Sequence, residues 1–149
     1  FKSDHLDRGG MVYDFGAMKD FVGSFLDMFD HSTHLWGEET DEIIEFFMKN
    51  NERWVVLPYN PTAENYAVMF KDVINELLKV SPYNNGEGKV YCSGVIYHET
   101  RTGYAEAEEN DTLGVTFDDM TFSPETLTEV SDKLLEYIIS SRVIGNTNE

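Results

Sequence analysis

Cysteine is almost absent from this sequence: Cys92 is the single thiol in 149 residues. One thiol excludes an internal disulfide framework and any cysteine-rich zinc module. Cations are scarce too, with 11 Lys plus Arg against 28 Asp plus Glu and a formal net charge of −17. A field of that sign repels phosphate backbones and anionic lipid surfaces, so neither nucleic acid nor membrane is an expected partner. No apolar run approaches the ~18 residues of a membrane span, and no charged-then-apolar signal segment opens the residues given. A reduced, cytoplasmic compartment is the expectation. Proline is rare, at 4 residues, and no repeat or low-complexity linker divides the chain. Apolar residues, by contrast, make up 41% and aromatics 13%. That is enough buryable surface for one globular domain and too much for a disordered chain.

Hydrophobic spacing predicts an α+β order. Residues 1–13 are short and extended, with Gly9-Gly10 marking a turn. Asp14 is an N-cap for a helix over 15–29, whose Met18, Phe21, Val22, Phe25, Leu26 and Phe29 form one apolar stripe. Thr40 caps a shorter helix over 41–50, and Trp54-Val55-Val56-Leu57 reads as a brief strand. Thr62 caps a second long helix over 63–79, with Tyr66, Met69, Phe70, Val73, Ile74, Leu77 and Leu78 on its buried face. Residues 81–88 read as a loop or hairpin turn. A strand over 89–100 and another extended stretch over 102–108 follow. Ser123-Pro124 opens a last helix that runs to about Ser141, and residues 146–149 are expected to fray.

Few residues in this frame offer chemistry. Asp30-His31 lies where the first helix stops, and off a helix a carboxylate beside an imidazole fixes its tautomer and makes a proton shuttle near neutral pH. The plainer alternative is two surface residues at a helix C-terminus. His31 and His34, three apart, could hold a metal on one helical face, but no third ligand accompanies them and a solvent-facing His34 is the simpler reading. His5 and His98 have no local partner. Glu99 closes the 89–100 strand, either paired with a ligand or exposed at an edge, and Cys92 on the opposite face reads as a small buried residue rather than a nucleophile. Glu106 to Glu109 and Asp118-Asp119 are solvated acidic runs without EF-hand spacing.

Taken in order, these segments resemble one family. Gly10-Met11-Val12-Tyr13-Asp14-Phe15-Gly16-Ala17-Met18-Lys19 resembles the entry to the first helix of the 6-pyruvoyltetrahydropterin synthase / 6-carboxytetrahydropterin synthase family. Asp30-His31 falls at the family's proton relay, Asn60-Pro61-Thr62-Ala63-Glu64-Asn65 resembles the start of its second helix, and His98-Glu99-Thr100 resembles the strand end whose glutamate anchors a pterin. The resemblance covers residues 9–108. It implies the tunnelling fold, a four-stranded antiparallel sheet with two long helices on one face. Three subunits then join into a barrel and two rings stack as a hexamer, a dimer of trimers with active sites at subunit interfaces. A tunnelling-fold domain over 1–110 and a C-terminal extension with one helix over 111–149 are the expected divisions.

By the same resemblance the substrate is 7,8-dihydroneopterin triphosphate. Asp30 and His31 relay protons, and Glu99, with Thr100 and Thr62, binds the pterin. Bidentate pairing of a carboxylate with a guanidine-like edge is sound chemistry for that task. The carboxy reaction, which also loses acetaldehyde and feeds synthesis of the 7-deazaguanine base queuosine, is favoured over the pyruvoyl reaction. In the family a zinc ion is held by three histidines that, with a catalytic cysteine, lie upstream of the Gly-Met-Val-Tyr-Asp segment. No metal ligand is therefore assigned within this chain, and Cys92 is no substitute for that cysteine. A chain opening at Phe1 is expected to have lost that segment, with Phe1-Lys2-Ser3 ending its second strand and Asp4 to Gly10 forming the turn. A homologue that binds a pterin or purine without catalysis, and an acidic domain that docks a basic partner, are the remaining alternatives.

Overall fold

The computed structural model describes residues 1–80 and 89–130, and beyond them 132, 134–136, 138 and 139. The predicted loop at 81–88, the helix end near Ser141 and the fraying 146–149 lie outside the described residues. The first helix runs as α1 (Phe15–Met18), a π-helical turn (Lys19–Gly23) and α2 (Ser24–Asp27). The Asp14 carboxylate accepts from the Ala17 amide at 2.8 Å, capping α1 as the sequence predicts. Phe21, Val22, Phe25, Met28 and Phe29 of this region are buried, while Leu26 at the edge of the stripe is exposed.

A βαβ unit follows. Strand β1 (Thr33–Trp36) pairs in parallel with β2 (Trp54–Leu57), and α3 (Asp41–Asn50) makes the crossover that parallel strands require. Neither the strand at 33–36 nor the parallel pairing is legible in Thr-His-Leu-Trp, four residues without a run of β-branched side chains. Helix α4 (Ala63–Val80) packs against β3 (Val95–His98) and β4 (Tyr104–Ala107), which form an antiparallel hairpin.

The described residues thus hold a three-stranded sheet, ordered β1, β2 and β5 (Thr121–Phe122), and a separate two-stranded one, rather than one four-stranded antiparallel sheet. The predicted 89–100 strand is broken, and a side chain of α4 takes its place at the break. Asn75 on α4 takes both backbone groups of Cys92, donating to its carbonyl at 2.9 Å and accepting from its amide at 2.8 Å. Two residues on, a Cβ at Gly94 would meet the Ala107 carbonyl oxygen at 2.9 Å, so only glycine lets β4 come this close. Ahead of the break Lys2 and Tyr91 form an isolated antiparallel bridge.

The segment after residue 110 joins the same core. Strand β5 (Thr121–Phe122) pairs antiparallel with β2, and Phe117, Met120, Phe122, Leu134 and Ile138 are buried in one cluster with Phe25, Phe29, Met69 and Phe70. Helix α5 (Pro124–Glu129) is capped by Ser123 but stops at Val130, whose extended backbone turns a partly buried side chain toward the core. The predicted continuous helix is therefore interrupted there, and residues 132, 134–136, 138 and 139 are helical beyond it. Carboxylates on α4 hold this segment down. Asp72 accepts from the Thr112 hydroxyl at 3.1 Å and the Leu113 and Gly114 amides at 2.9 and 3.1 Å, and Glu76 accepts from the Phe117 amide at 2.8 Å.

Two outcomes follow from those grips. Asp72→Ala removes the acceptor of the Leu113 amide and the Thr112 hydroxyl and one of the two acceptors of the Gly114 amide, and it leaves the buried Lys71 ammonium, 3.7 Å from Asp72, without its carboxylate. A loss of about 1–3 kcal/mol in urea unfolding is expected, and an unchanged midpoint would count against the grip. Burial raises the Glu76 pKa above the usual carboxylate value despite the Phe117 bond. Its ionised form therefore costs folded-state stability that is recovered as pH falls through that raised value. Glu76→Gln should outperform the wild type near pH 7 and lose that advantage toward pH 4; thermal melts across this range read the difference.

Candidate active site

The end of the first helix builds the turn that carries Asp30-His31. Met28, Phe29 and Asp30 donate their amides to the carbonyls of Phe25, Leu26 and Asp27, a tightened last turn. His31 then adopts φ 48°, the left-handed region, which a non-glycine residue occupies at a cost. The result is a pair off the helix, as a side-by-side carboxylate and imidazole require. His31 Nε2 stands 3.7 Å from Asp30 Oδ2, and the two side chains are 90% and 70% exposed. That is ion-pair distance rather than a hydrogen bond.

His34 departs from the expectation of a solvent-facing residue. It lies in β1, not on a helix face with His31, so the two do not form a metal-holding pair. Its ring is partly buried and both nitrogens are engaged. Nε2 meets the Phe29 carbonyl at 2.9 Å, and Nδ1 meets the Tyr66 hydroxyl. Among the described residues no three His, Cys, Asp or Glu side chains converge on a point that a metal could occupy. The described residues of this chain therefore do not fit a zinc site by themselves.

A cleft of about 510 Å³ opens beside the turn, with Leu26, Phe29 and Asp30 on one side, Tyr66 and Phe70 of α4 on another, and Val95, Ile96 and Tyr97 of β3 closing it. Asp30 belongs to its lining; His31, Thr62, Glu99 and Thr100 do not. Glu99 is exposed just past β3, and its amide donates to the Gly103 carbonyl at 3.0 Å. Thr100 Oγ1 accepts from the Gly103 amide at 2.8 Å and so closes this turn. Thr62 caps α4, accepting from the Asn65 amide at 3.2 Å. Both hydroxyls thus serve the backbone as acceptors.

Sequence reasoning placed Tyr66 and Tyr97 only among packing positions, yet they are the polar-tipped aromatics of the cleft. The Tyr66 ring stacks on Tyr97 at 5.1 Å and 14°. Burial, then the neighbouring Tyr97, holds the Tyr66 phenol well above its ordinary pKa, and burial, then the Glu99 charge, raises Tyr97. These phenols stay protonated and act as donors at neutral pH.

Residues 1–110 match the family model for 6-pyruvoyl tetrahydropterin synthase. The chain belongs to this family. Among curated relatives, it is 38% identical over 106 residues to the 6-carboxy-5,6,7,8-tetrahydropterin synthase of Helicobacter pylori strain J99, an alignment that takes in 71% of this chain and 53% of that protein. The protein of the same name from Helicobacter pylori strain 26695 is 37% identical over the same shares. A namesake from Rickettsia conorii is 36% identical over 80 residues, which is 53% of this chain and 58% of that protein. The chain spans about half the length of the curated relatives it matches. In this member of the pterin synthase family Cys92 is buried, desolvation raises its thiol pKa, and its S–H makes a weak contact to the Gly94 carbonyl at 3.4 Å. Burial of this kind makes an inert thiol. Alkylation of the native protein at pH 7.5 should be slower than in urea by about tenfold or more; equal rates would overturn the assignment.

Proposed function

We propose that this chain carries the pterin-handling part of a 6-carboxy-5,6,7,8-tetrahydropterin synthase, a lyase acting on 7,8-dihydroneopterin triphosphate. The observation that carries the reading is the Asp30-His31 pair, presented off the helix at the rim of an aromatic cleft, in a chain whose curated relatives bear that name. His31 would move protons on the substrate side chain while Asp30 orients its ring and balances the imidazolium. Glu99 would accept the donor edge of the pterin, with Thr100 and Thr62 offering hydroxyls at its rim. The aromatic wall would cover the ring faces.

Assembly belongs to the same proposal. Asp30, His31 and Glu99 are exposed in one copy, and a lyase needs water excluded around its proton relay. In the tunnelling-fold arrangement, a ring of three stacked on another as a hexamer, a second subunit would close over these residues. Zinc is part of the proposal as the cofactor that would polarise the substrate hydroxyls, with ligands outside this span; no step above passes through it.

The decisive experiment is product analysis by mass after incubating the protein with zinc and 7,8-dihydroneopterin triphosphate. A 6-carboxy product with acetaldehyde is expected, and a 6-pyruvoyl product would change the reaction while keeping the substrate. Asp30→Asn and His31→Ala should each slow turnover by about a hundredfold. Glu99→Ala should weaken sepiapterin binding by about tenfold or more. Absence of both pterin turnover and sepiapterin binding would overturn the proposal.

A further inference from the structure

We infer that His34 and Tyr66 are positioning residues whose hydrogen-bonded chain ties the Asp30-His31 turn to the strand leading into Glu99. The inference gains its catalytic meaning from the reading of Asp30-His31 as the proton relay, but the geometry stands apart from it.

The partners themselves determine the protons. A backbone carbonyl can only accept, so the His34 nitrogen facing the Phe29 oxygen at 2.9 Å, Nε2, must carry hydrogen. In the neutral ring Nδ1 is then a lone pair, and the Tyr66 hydroxyl must donate to it. One tautomer and one hydroxyl rotor satisfy both bonds. The ring is held from its faces as well: Phe29 packs edge-on to His34 at 5.8 Å and 86°, and Tyr66 lies 5.5 Å away.

Each end of this chain reaches a candidate site segment. Phe29, whose carbonyl is held, directly precedes Asp30. Tyr66 stacks on Tyr97, which lies two residues before Glu99. Three elements and the end of the first helix are thereby joined through one imidazole. A leucine and a phenylalanine would fill such a space with no polar atom to satisfy, so packing alone does not call for this pair. What the polar chain adds is a single orientation of the Phe29 peptide. The left-handed backbone of His31, two residues on, is the sort of strained conformation that persists only when its surroundings over-determine it. Arg53 holds the neighbouring Asp27 carbonyl at 2.9 Å from the other side, and its own carbonyl accepts from the Thr33 amide at 3.0 Å. The turn is thus gripped before and after the pair.

The test reads tautomer, turn and turnover separately on the full chain. Nitrogen-15 spectra of the wild-type histidine rings should show His34 protonated on Nε2 and bare on Nδ1. A ring protonated on Nδ1 alone would overturn the inference without any variant. Tyr66→Phe keeps the ring stack and removes the donor. It should shift the His34 Nδ1 resonance and the amide resonances of Asp30, His31 and Ser32. With 7,8-dihydroneopterin triphosphate, kcat should fall by about tenfold while KM stays within about twofold, because the relay is displaced and the pterin anchor is not. A folded Tyr66→Phe protein with unmoved turn resonances would also overturn it. If the wild type turns over no pterin, the catalytic reading fails, while the spectra still decide whether the chain positions the turn.

Discussion

The buried face of helix α4 meets the first helix, the β3–β4 hairpin and the C-terminal segment at once, and the remaining structure is arranged around that constraint. Its apolar positions Met69, Phe70, Val73, Ile74 and Leu77 occupy the centre of the main core. Its small residues, Ala63 and Ala67, let Ala105 and Ala107 of β4 approach. Its polar edge is not solvent-facing decoration either. Asp72, Asn75 and Glu76 spend their side chains on backbone groups of residues 113 and 114, 92 and 117. A helix that satisfies foreign backbone in this way sets where irregular segments can lie, because each buried amide or carbonyl needs its partner.

This use of carboxylates gives local meaning to part of an extreme charge. At −17 the chain repels itself, and that repulsion lowers the stability of any compact state. Asp72 offsets part of it by accepting hydrogen bonds from residues 112–114, and Asp14 and Asp119 do the same at turns and caps. Lys71, buried on the same helix, brings one positive charge to Asp72 and donates to the Glu109 carbonyl at 3.3 Å. The C-terminal segment is therefore fastened through polar contacts as well as through Phe117 and Phe122.

The candidate site shows the reverse economy. Asp30, His31 and Glu99 are exposed, while the atoms behind them are tightly specified. The aromatic wall joins the stacked rings of Phe70, Tyr66 and Tyr97 to an edge-on Phe29, and it ends in a histidine with both nitrogens bound. Rigid support under accessible side chains is the arrangement that catalysis by positioned groups demands.

By itself the sequence determined what depends on neighbours within a turn or two. The caps at Asp14, Thr40, Thr62 and Ser123 follow from side chains that reach an amide three residues on, and the stripe of α4 follows from the helical period. The off-helix placement of Asp30-His31 and the burial of Cys92 were legible for the same reason. Other features belong to the tertiary structure alone. His34 reads as a surface residue until Tyr66, 32 positions away, supplies its partner. The strand after Lys89 reads as continuous until Asn75 takes the backbone groups of Cys92, and Thr33 to Trp36 become a strand only against β2. In each case the deciding hydrogen bond or close approach joins residues far apart in the chain, and spacing within one segment carries no trace of it.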